Sequence, residues 1–310
     1  MRTVGIDLGS NTLRGVECDT KSGRFGAAFG VIVKTADGLA QSGRISQAAV
    51  ERIIVGLQRM QETILFDGAR IRAVTTEAMR RAENAPEVLA RIAVETGVQF
   101  AIIDGEEEAR LTLRAVRHRL EILDPKSEPK NFLLVDIGGG STELIFAYKD
   151  GTTVAKSFPL GIVTLTQSHA DLDAIRSALP EVMLPLERFV AEVYVDGGRP
   201  DVFVATAGTP TSIASMQLGM EYDTYDPARI NGTHLSKHAP AIYLDKLLAM
   251  PFTQRERVVG VGRADLVTAG MLIFERLYQI AGFETCTVVD DGLREGVALS
   301  LCENHITNPA

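Results

Sequence analysis

Val4-Gly5-Ile6-Asp7-Leu8-Gly9-Ser10-Asn11-Thr12 and Leu134-Val135-Asp136-Ile137-Gly138-Gly139-Gly140-Ser141-Thr142 follow one pattern. Each is an apolar strand, an Asp, one apolar residue and a Gly, then small hydroxyl or amide residues. A second strand-like run follows each, Leu13–Cys18 after the first and Leu144–Tyr148 after the second. A third run comes next in both places, Phe29–Lys34 and Thr152–Phe158. Both copies therefore open as antiparallel meanders with a glycine turn at the first corner. Two related halves that each begin this way predict a duplicated α/β architecture with a cleft between two domains.

The segments between the meanders read as helices and further strands. Ser46 caps a run whose apolar positions, Val50, Ile53, Ile54, Leu57, Met60, Ile64 and Leu65, have the three- and four-residue spacing of a helix with one buried face. Ile71–Thr75 and Phe100–Ile103 read as strands. Pro86 opens a helix that Gly97 stops, and Glu106–Leu123 is another helix. In the second half, a helical segment from Asp171 to Tyr194 is interrupted by Pro180 and Pro185, and Asp201–Ala205 is a strand. Helices are expected over Ser236–Met250, Thr253–Val259 and Asp265–Ala281, then a strand at Thr285–Val289 and a last helix over Leu293–Asn304. The polar stretch Asp124–Lys130, with Pro125 and Pro129, is the expected boundary. Domain I is then 1–124 and domain II 125–292.

The chain has 310 residues, 45% of them apolar, and a net charge of −8. That length supports two cores. A protein that grips long nucleic acid presents a basic surface, so nucleic acid is not an expected partner. A small or linear polyanion stays compatible with the charge, because backbone N–H groups and a metal ion supply local positive potential. No run of about 18 apolar residues is present, so no membrane contact is expected. The opening MRTVGIDLGS passes straight into a strand with no apolar leader, so no signal peptide is expected. Cys18, Cys286 and Cys302 are scattered and form neither a disulfide framework nor a CxxC site, which fits a reducing cytoplasm.

Glycine at the tip of a hairpin lets the backbone come close to a ligand, and successive N–H groups in such a turn form an anion-binding concavity. Ser10, Asn11, Ser141 and Thr142 add side-chain donors. Asp7 and Asp136 would repel phosphate directly, and they make sense as holders of Mg²⁺, its waters or an attacking water. A lone Gly-Gly-Gly-Ser run also suits a plain flexible loop, but the second copy with Asp in the matching place favours phosphate. Ile103-Asp104-Gly105-Glu106-Glu107-Glu108-Ala109-Arg110 puts three carboxylates in one helical turn. They complement the helix dipole there, and one of them is a candidate general base for water. Thr206-Ala207-Gly208-Thr209 ends a strand and opens a helix, where it either binds phosphate or simply caps. Arg80, in Thr75-Thr76-Glu77-Ala78-Met79-Arg80, is a candidate phosphate clamp. His234 and His238 have metal-compatible spacing but no accompanying Glu pattern. No Walker A sequence is present, and Gly260-Val261-Gly262 lacks the third glycine of a dinucleotide fingerprint.

The ordered set IDLGSNTLR, TTEAMRRAEN, IDGEEEARLT, LLVDIGGGSTEL, SFPLGIVTLT, ATAGTPTSIA, RADLVTAGMLIF and DDGLREGVAL resembles the exopolyphosphatase / guanosine pentaphosphate phosphohydrolase (Ppx/GppA) family. The resemblance covers nearly the whole chain. It implies the duplicated actin-like ATPase (ribonuclease H-like) fold and Mg²⁺-dependent removal of a terminal phosphate from inorganic polyphosphate or guanosine pentaphosphate. It also implies that Glu108 is the catalytic glutamate, with Arg110 the arginine of the same motif. Asp136 and Glu143 would hold metal, within a loop whose Gly138, Gly139, Gly140, Ser141 and Thr142 bind phosphate. Asp7, Gly9, Ser10 and Asn11 match the first phosphate loop, Arg80 a phosphate-contacting arginine, and Gly208 and Thr209 the glycine loop of the second half. In the family the last helix packs back on the first domain, which is expected here of 293–310. Longer members carry a further C-terminal helical region that extends the groove for long polyphosphate. No counterpart is visible, so processivity is not implied.

Two alternatives stand beside this reading: a kinase of the same superfold moving phosphate between ATP and a small acceptor, and a non-catalytic sensor of guanosine tetra- or pentaphosphate. The first needs an adenine pocket in the second half, and the second predicts binding without phosphate release. A homodimer is a candidate assembly.

Overall fold

The computed structural model describes residues 1–126, 128 and 130–302. In chain order the elements are β1 (Arg2–Leu8), β2 (Thr12–Asp19), β3 (Phe25–Ile32), α1 (Leu39–Ser42), α2 (Gln47–Thr63), β4 (Ala69–Thr75), α3 (Glu77–Arg81), α4 (Ala85–Thr96), β5 (Phe100–Ile102) and α5 (Gly105–Leu123). Then come β6 (Phe132–Ile137), β7 (Thr142–Ala147), β8 (Thr153–Phe158), α6 (Ile162–Ser168), α7 (Leu172–Val182), α8 (Leu184–Gly197), β9 (Val202–Thr206) and α9 (Gly208–Gln217). The last are α10 (Pro227–Ile230), β10 (His234–Ser236), α11 (Ala239–Leu248), α12 (Phe252–Val259), α13 (Ala264–Ala281), β11 (Thr285–Val288) and α14 (Leu293–Ser300).

The chain divides into two compact units. One is Met1–Arg117 together with the segment that begins at Asp291, and the other is His118–Asp290. The division falls inside α5, before the polar stretch after Asp124, because the last turn of α5 belongs with the second unit. There Leu123 lies against Gly232, 3.4 Å from where a Cβ on that glycine would sit.

Among the described residues, the first unit holds a five-stranded sheet of order β3-β2-β1-β4-β5, and the second a six-stranded sheet of order β10-β11-β9-β6-β7-β8. In each, three strands form an antiparallel meander, and the first of them pairs in parallel with the next strand of the unit, β1 with β4 and β6 with β9. The duplication read from the two hairpins is thus a duplication of the whole sheet core.

Local sequence sets these elements. The Ser46 hydroxyl accepts from Ala49 N at 3.2 Å and caps α2, a contact worth about 1 kcal/mol, while Ala49, Val50, Ile53, Ile54, Leu57 and Met60 bury one face of the helix. Gly97 ends α4 at φ 73°. Two expectations change. Ser236, expected to open a helix, instead ends an edge strand, His234–Ser236, against β11, and α11 begins at Ala239. Ile162–Ser168, to which the sequence pattern assigns no element, is a helix with Gly161 at its N-cap.

The last helix, α14, packs on the first sheet. Val297 and Leu293 join Val74, Ile103 and Leu111, and Ala298 and Leu299 join Val16 and Cys18. The contact is close because Gly5 has no side chain: a Cβ there would lie 2.2 Å from Arg294 O and 2.5 Å from Ala298 N. Thr3 Oγ1 donates to Ala298 O at 3.0 Å across the same seam. The expected extension of this helix past Cys302, to Asn304 or 310, lies outside the described residues.

Candidate functional site

The two glycine turns share one construction. Gly9 N donates to Thr12 O at 3.0 Å, and Gly138 N donates to Ser141 O at 2.9 Å. The following carbonyls are all taken up from behind. Ala36 N donates to Ser10 O, and Val33 N and Lys34 N both donate to Asn11 O; Ile162 N and Val163 N donate to Gly138 O and Gly139 O at 3.1 and 2.8 Å. In a planar trans peptide the N–H points opposite to the C=O. The amides of Gly139 and Gly140 are therefore aimed away from α6, as is that of Asn11 away from the 33–36 segment. Among the described residues, the Gly139 and Gly140 amides have no acceptor within the chain. They form the kind of N–H concavity that binds anions.

Gly161 makes the second turn possible. A Cβ on it would lie 2.4 Å from both C and O of Gly139 and 2.5 Å from Gly140 N. The start of α6 thus presses directly on the back of the loop.

Strand register distinguishes the two copies. Asp7 pairs across β1–β2 with Arg14, whereas Asp136 pairs across β6–β7 with Glu143. Directly opposed residues of antiparallel strands lie on the same face with Cβ atoms about 5 Å apart. The first copy thus sets an acid opposite an arginine in the ladder, and the second sets two acids opposite each other, one of them, Glu143, only 1% exposed. Ser157 Oγ donates to Glu143 Oε1 at 2.6 Å and orients it. Like charges so placed repel, and a hard divalent cation with oxygen ligands relieves that repulsion. No group of three or more His, Cys, Asp or Glu side chains suited to a metal forms among the described residues. A two-carboxylate donor set fits a cation such as Mg²⁺, which keeps most of its ligands as water or substrate oxygen.

In the first unit the structure separates the three glutamates at the start of α5. Glu106 faces solvent. Glu107 pairs with Arg110 at 2.7 Å and with Arg72 at 2.9 Å, and its N–H is capped by Asp104 Oδ1. Glu108 is buried, its side chain 11% exposed, and pairs with Arg80 Nη1 at 3.1 Å. Arg80 is itself gripped: Nε and Nη2 donate to Glu77 Oε2, and Nη1 donates to Ile103 O at 2.7 Å. Burial works against the Arg80 charge, but Glu108 and Glu77 together raise its pKa above the ordinary value. Four donor contacts of Arg80 are thus made to protein, and they hold Glu108 in place. Glu77, which supplies the other half of the grip, escaped the sequence reading; its only signal was a place three residues before Arg80 on one short helix.

The β9–α9 turn carries strain. Ala207 sits at φ 72°, ψ −172°, a region that glycine occupies almost alone and that costs other residues about 1–3 kcal/mol. Arg263 reaches this turn, donating through Nη2 to Gly208 O at 3.3 Å, so a guanidinium stands at the N-terminus of α9. Two hydroxyls proposed from sequence are not presented there or at the loop. Thr209 is 0% exposed, and its Oγ1 packs against Gly270, 2.1 Å from where a Cβ on that residue would be. Thr142 Oγ1 donates inward to Leu160 O at 2.6 Å. Both side chains lie on buried positions.

Comparison with known proteins bears on all of these segments at once. The profile of the Ppx/GppA phosphatase family matches residues 27–305. Exopolyphosphatase 2 of Mycobacterium tuberculosis is 30% identical over 97% of this chain and 98% of its own length. Exopolyphosphatase 1 of the same organism is 29% identical over 100% and 91%. The crystal structure of the Aquifex aeolicus member of the Ppx/GppA family superposes with a TM-score of 0.72, at 29% identity and 99% coverage of both chains. The fold is shared with that structure over nearly the whole of both chains, and this chain belongs to the Ppx/GppA phosphatase family.

Proposed function

We propose that this protein is a phosphoanhydride hydrolase that releases terminal orthophosphate from inorganic polyphosphate, with guanosine pentaphosphate as a second substrate of the same chemistry. The observation that carries the reading is the second hairpin, where outward amides of Gly139 and Gly140 stand beside the opposed carboxylates of Asp136 and Glu143. Amides alone would bind any anion. Paired carboxylates next to them suit a substrate that arrives with a divalent cation. The names of the mycobacterial relatives point to polyphosphate.

In this reading Asp136 and Glu143 hold Mg²⁺. Bound there, the ion offsets the charge of the phosphate chain and of the leaving oxygen. The Gly139 and Gly140 amides hold phosphate oxygens, and Ser141 adds a hydroxyl. The Asp7, Gly9, Ser10 and Asn11 turn of the first unit is a second phosphate holder, its Asp7 offset by Arg14. Gly208, at the α9 N-terminus under Arg263, is a third. Glu108 takes the proton from the attacking water. Its role needs a carboxylate held in place although nearly buried, and the pairing with Arg80, itself gripped by Glu77, supplies that. Proton transfer by a group so placed contributes about 10²–10⁴-fold.

The test is one phosphate-release assay with long polyphosphate, short polyphosphate, guanosine pentaphosphate and ATP, each with and without Mg²⁺. Release from polyphosphate that needs Mg²⁺ is expected. Transfer of phosphate between ATP or ADP and polyphosphate, seen by nucleotide analysis of an incubation with ATP plus ADP and polyphosphate, would overturn the reading in favour of a kinase.

A further inference from the structure

We propose that Cys18 and Cys302 are a peroxide-sensitive dithiol that closes to an intramolecular disulfide. The two residues are far apart in sequence, yet their Sγ atoms lie 3.9 Å apart. Cys18 is on β2 with 0% exposure. Cys302 is partly exposed and follows α14, its N–H held by Leu299 O at 3.0 Å. Both thiols lie on the seam between the sheet and the last helix, where Thr3 Oγ1 is 3.7 Å from Cys302 Sγ. A disulfide needs an S–S distance of about 2 Å. The two sulfurs must therefore approach by about 2 Å, and the partly exposed Cys302 is the one with room to move.

The surroundings divide the two roles. Cys302 interacts electrostatically with Arg114, which is itself close to Arg110 and Arg72. Arg70 lies at the same end of the helix, donating to Leu301 O at 3.1 Å. Cys302 is the more accessible of the two thiols, so a peroxide from solution reaches it first and it is the attacking group. Burial, and then the neighbouring Cys302, push the Cys18 thiol up to about 12, so Cys18 stays protonated until Cys302 has reacted. An accessible cysteine beside a buried resolving one is the usual arrangement of a redox sensor.

The steps balance with a hydroperoxide as oxidant. The Cys302 thiolate attacks one peroxide oxygen and the O–O bond breaks, giving a sulfenic acid and hydroxide. The Cys18 sulfur then attacks the Cys302 sulfur, forming the S–S bond and releasing water as its own proton leaves. In sum two thiols are oxidised and one hydrogen peroxide becomes two waters. The product ties β2 to the residue after α14 and so pins the first sheet to its covering helix. Closing so long a loop restricts the unfolded chain, and unfolding of the oxidised protein shifts to higher temperature.

The experiment is treatment of the whole protein with hydrogen peroxide, followed by thiol counting under denaturing conditions and mass spectrometry of an unreduced digest. The chain has three cysteines. The expected result is loss of two thiols, Cys286 remaining free, with a linked peptide pair containing Cys18 and Cys302 and a loss of two hydrogens in intact mass. Dithiothreitol reverses the change and the rise in Tm. Cys302→Ser and Cys18→Ser each abolish the linked pair, and in Cys18→Ser the Cys302 thiol goes on to sulfinic acid. Wild-type protein whose Cys302 becomes sulfinic acid or joins a second molecule, while Cys18 stays reduced, overturns the proposal. Because Cys302→Ser alters only a partly exposed side chain, it keeps the test decisive if Cys18→Ser fails to fold.

Discussion

Replacing Gly161 by alanine tests the loop as a mechanical object. The residue has φ −135°, ψ 172°, which alanine adopts without strain, so any effect is steric. The new Cβ would lie 2.4 Å from C and O of Gly139 and 2.5 Å from Gly140 N. Carbon contacts are comfortable near 3.5 Å, so one side must move by about 1 Å. All three atoms are backbone, and no flexible side chain can give way. The movement strains or breaks the bonds from Ile162 N and Val163 N to Gly138 O and Gly139 O. Overpacking costs about 1–3 kcal/mol, and a lost hydrogen bond about 1 kcal/mol more. The sum, about 2–4 kcal/mol, lowers Tm by roughly 5–15 °C for a chain of this size.

A 1 Å displacement of a group that positions substrate costs about 10²-fold in rate. The assay is kcat/KM for phosphate release from polyphosphate, measured well below the variant's Tm, alongside thermal unfolding. Gly30→Ala is the control: its Cβ would meet nothing nearer than Arg14 Cγ at 4.0 Å, and both quantities should stay at wild type. Gly161→Ala with a lowered Tm but unchanged kcat/KM would show that the loop's position is not linked to turnover. Unchanged values of both would refute the packing argument itself.

Glu108→Gln should lower kcat by about 10²–10⁴ while leaving polyphosphate binding intact; near-normal release removes Glu108 as the base. Arg80→Ala leaves Glu77 and Glu108 facing each other without their cation. Breaking a buried pair costs about 3–5 kcal/mol, and with Arg80 20% exposed about 2–3 kcal/mol is expected in urea unfolding. Arg80→Lys should recover part of that loss, and an equal loss in both variants counts against charge pairing. Ala207→Gly relieves the left-handed strain and should stabilise by about 1 kcal/mol after the entropic cost of glycine; a destabilised variant would mean the turn is not strained. Glu107 is held below its ordinary value of 4.5 by Arg110, against the cost of burial, and by Arg72. A depressed carboxylate contributes its full stability above 4.5 and loses it as pH falls through the lower folded-state value. Glu107→Gln should therefore flatten the acid limb of a stability profile, and a slope equal to wild type refutes the pairing.

The hairpins were legible because their signal is local. A strand, an acid, a glycine and small polar residues occupy consecutive positions, and the repeat raised that signal above its background. The helices with capping residues, Ser46 before α2 and Gly97 after α4, were legible for the same reason. What failed was whatever depends on a partner distant in sequence. The segment at His234–Ser236 carries no strand signal of its own and is a strand only because β11 offers it an edge. Arg80 looked like a phosphate clamp, since an arginine beside a phosphate loop is the simplest guess. Its pairing with Glu108 follows from the parallel alignment of β4 with β5, which brings α3 and the start of α5 together. Thr142 and Thr209 looked like donors because composition shows that a hydroxyl exists but not where it points.

The register of the two hairpins carries the argument about function furthest. The turns share their backbone construction, down to the Gly9–Thr12 and Gly138–Ser141 bonds, with Ser10 and Asn11 where the second has Gly139 and Gly140. Across the ladder they differ in charge: Arg14 stands opposite Asp7, and Glu143 opposite Asp136. A phosphate loop whose acid is already offset needs no ion to accept an anion. A loop flanked by two acids, one of them buried, repels phosphate until a cation is present. On the function proposed above, a single duplicated hairpin would yield one metal-independent holder and one that binds phosphate and metal together. If that division is right, Glu143→Gln, which removes one charge and keeps the side chain's shape, should raise the Mg²⁺ concentration needed for half-maximal phosphate release by roughly 10–100-fold, as the loss of a metal-supporting group does elsewhere. Arg14→Gln should leave that Mg²⁺ requirement unchanged. A variant at Glu143 with the wild-type Mg²⁺ dependence would mean that the opposed carboxylates serve the fold and that the two loops do the same work.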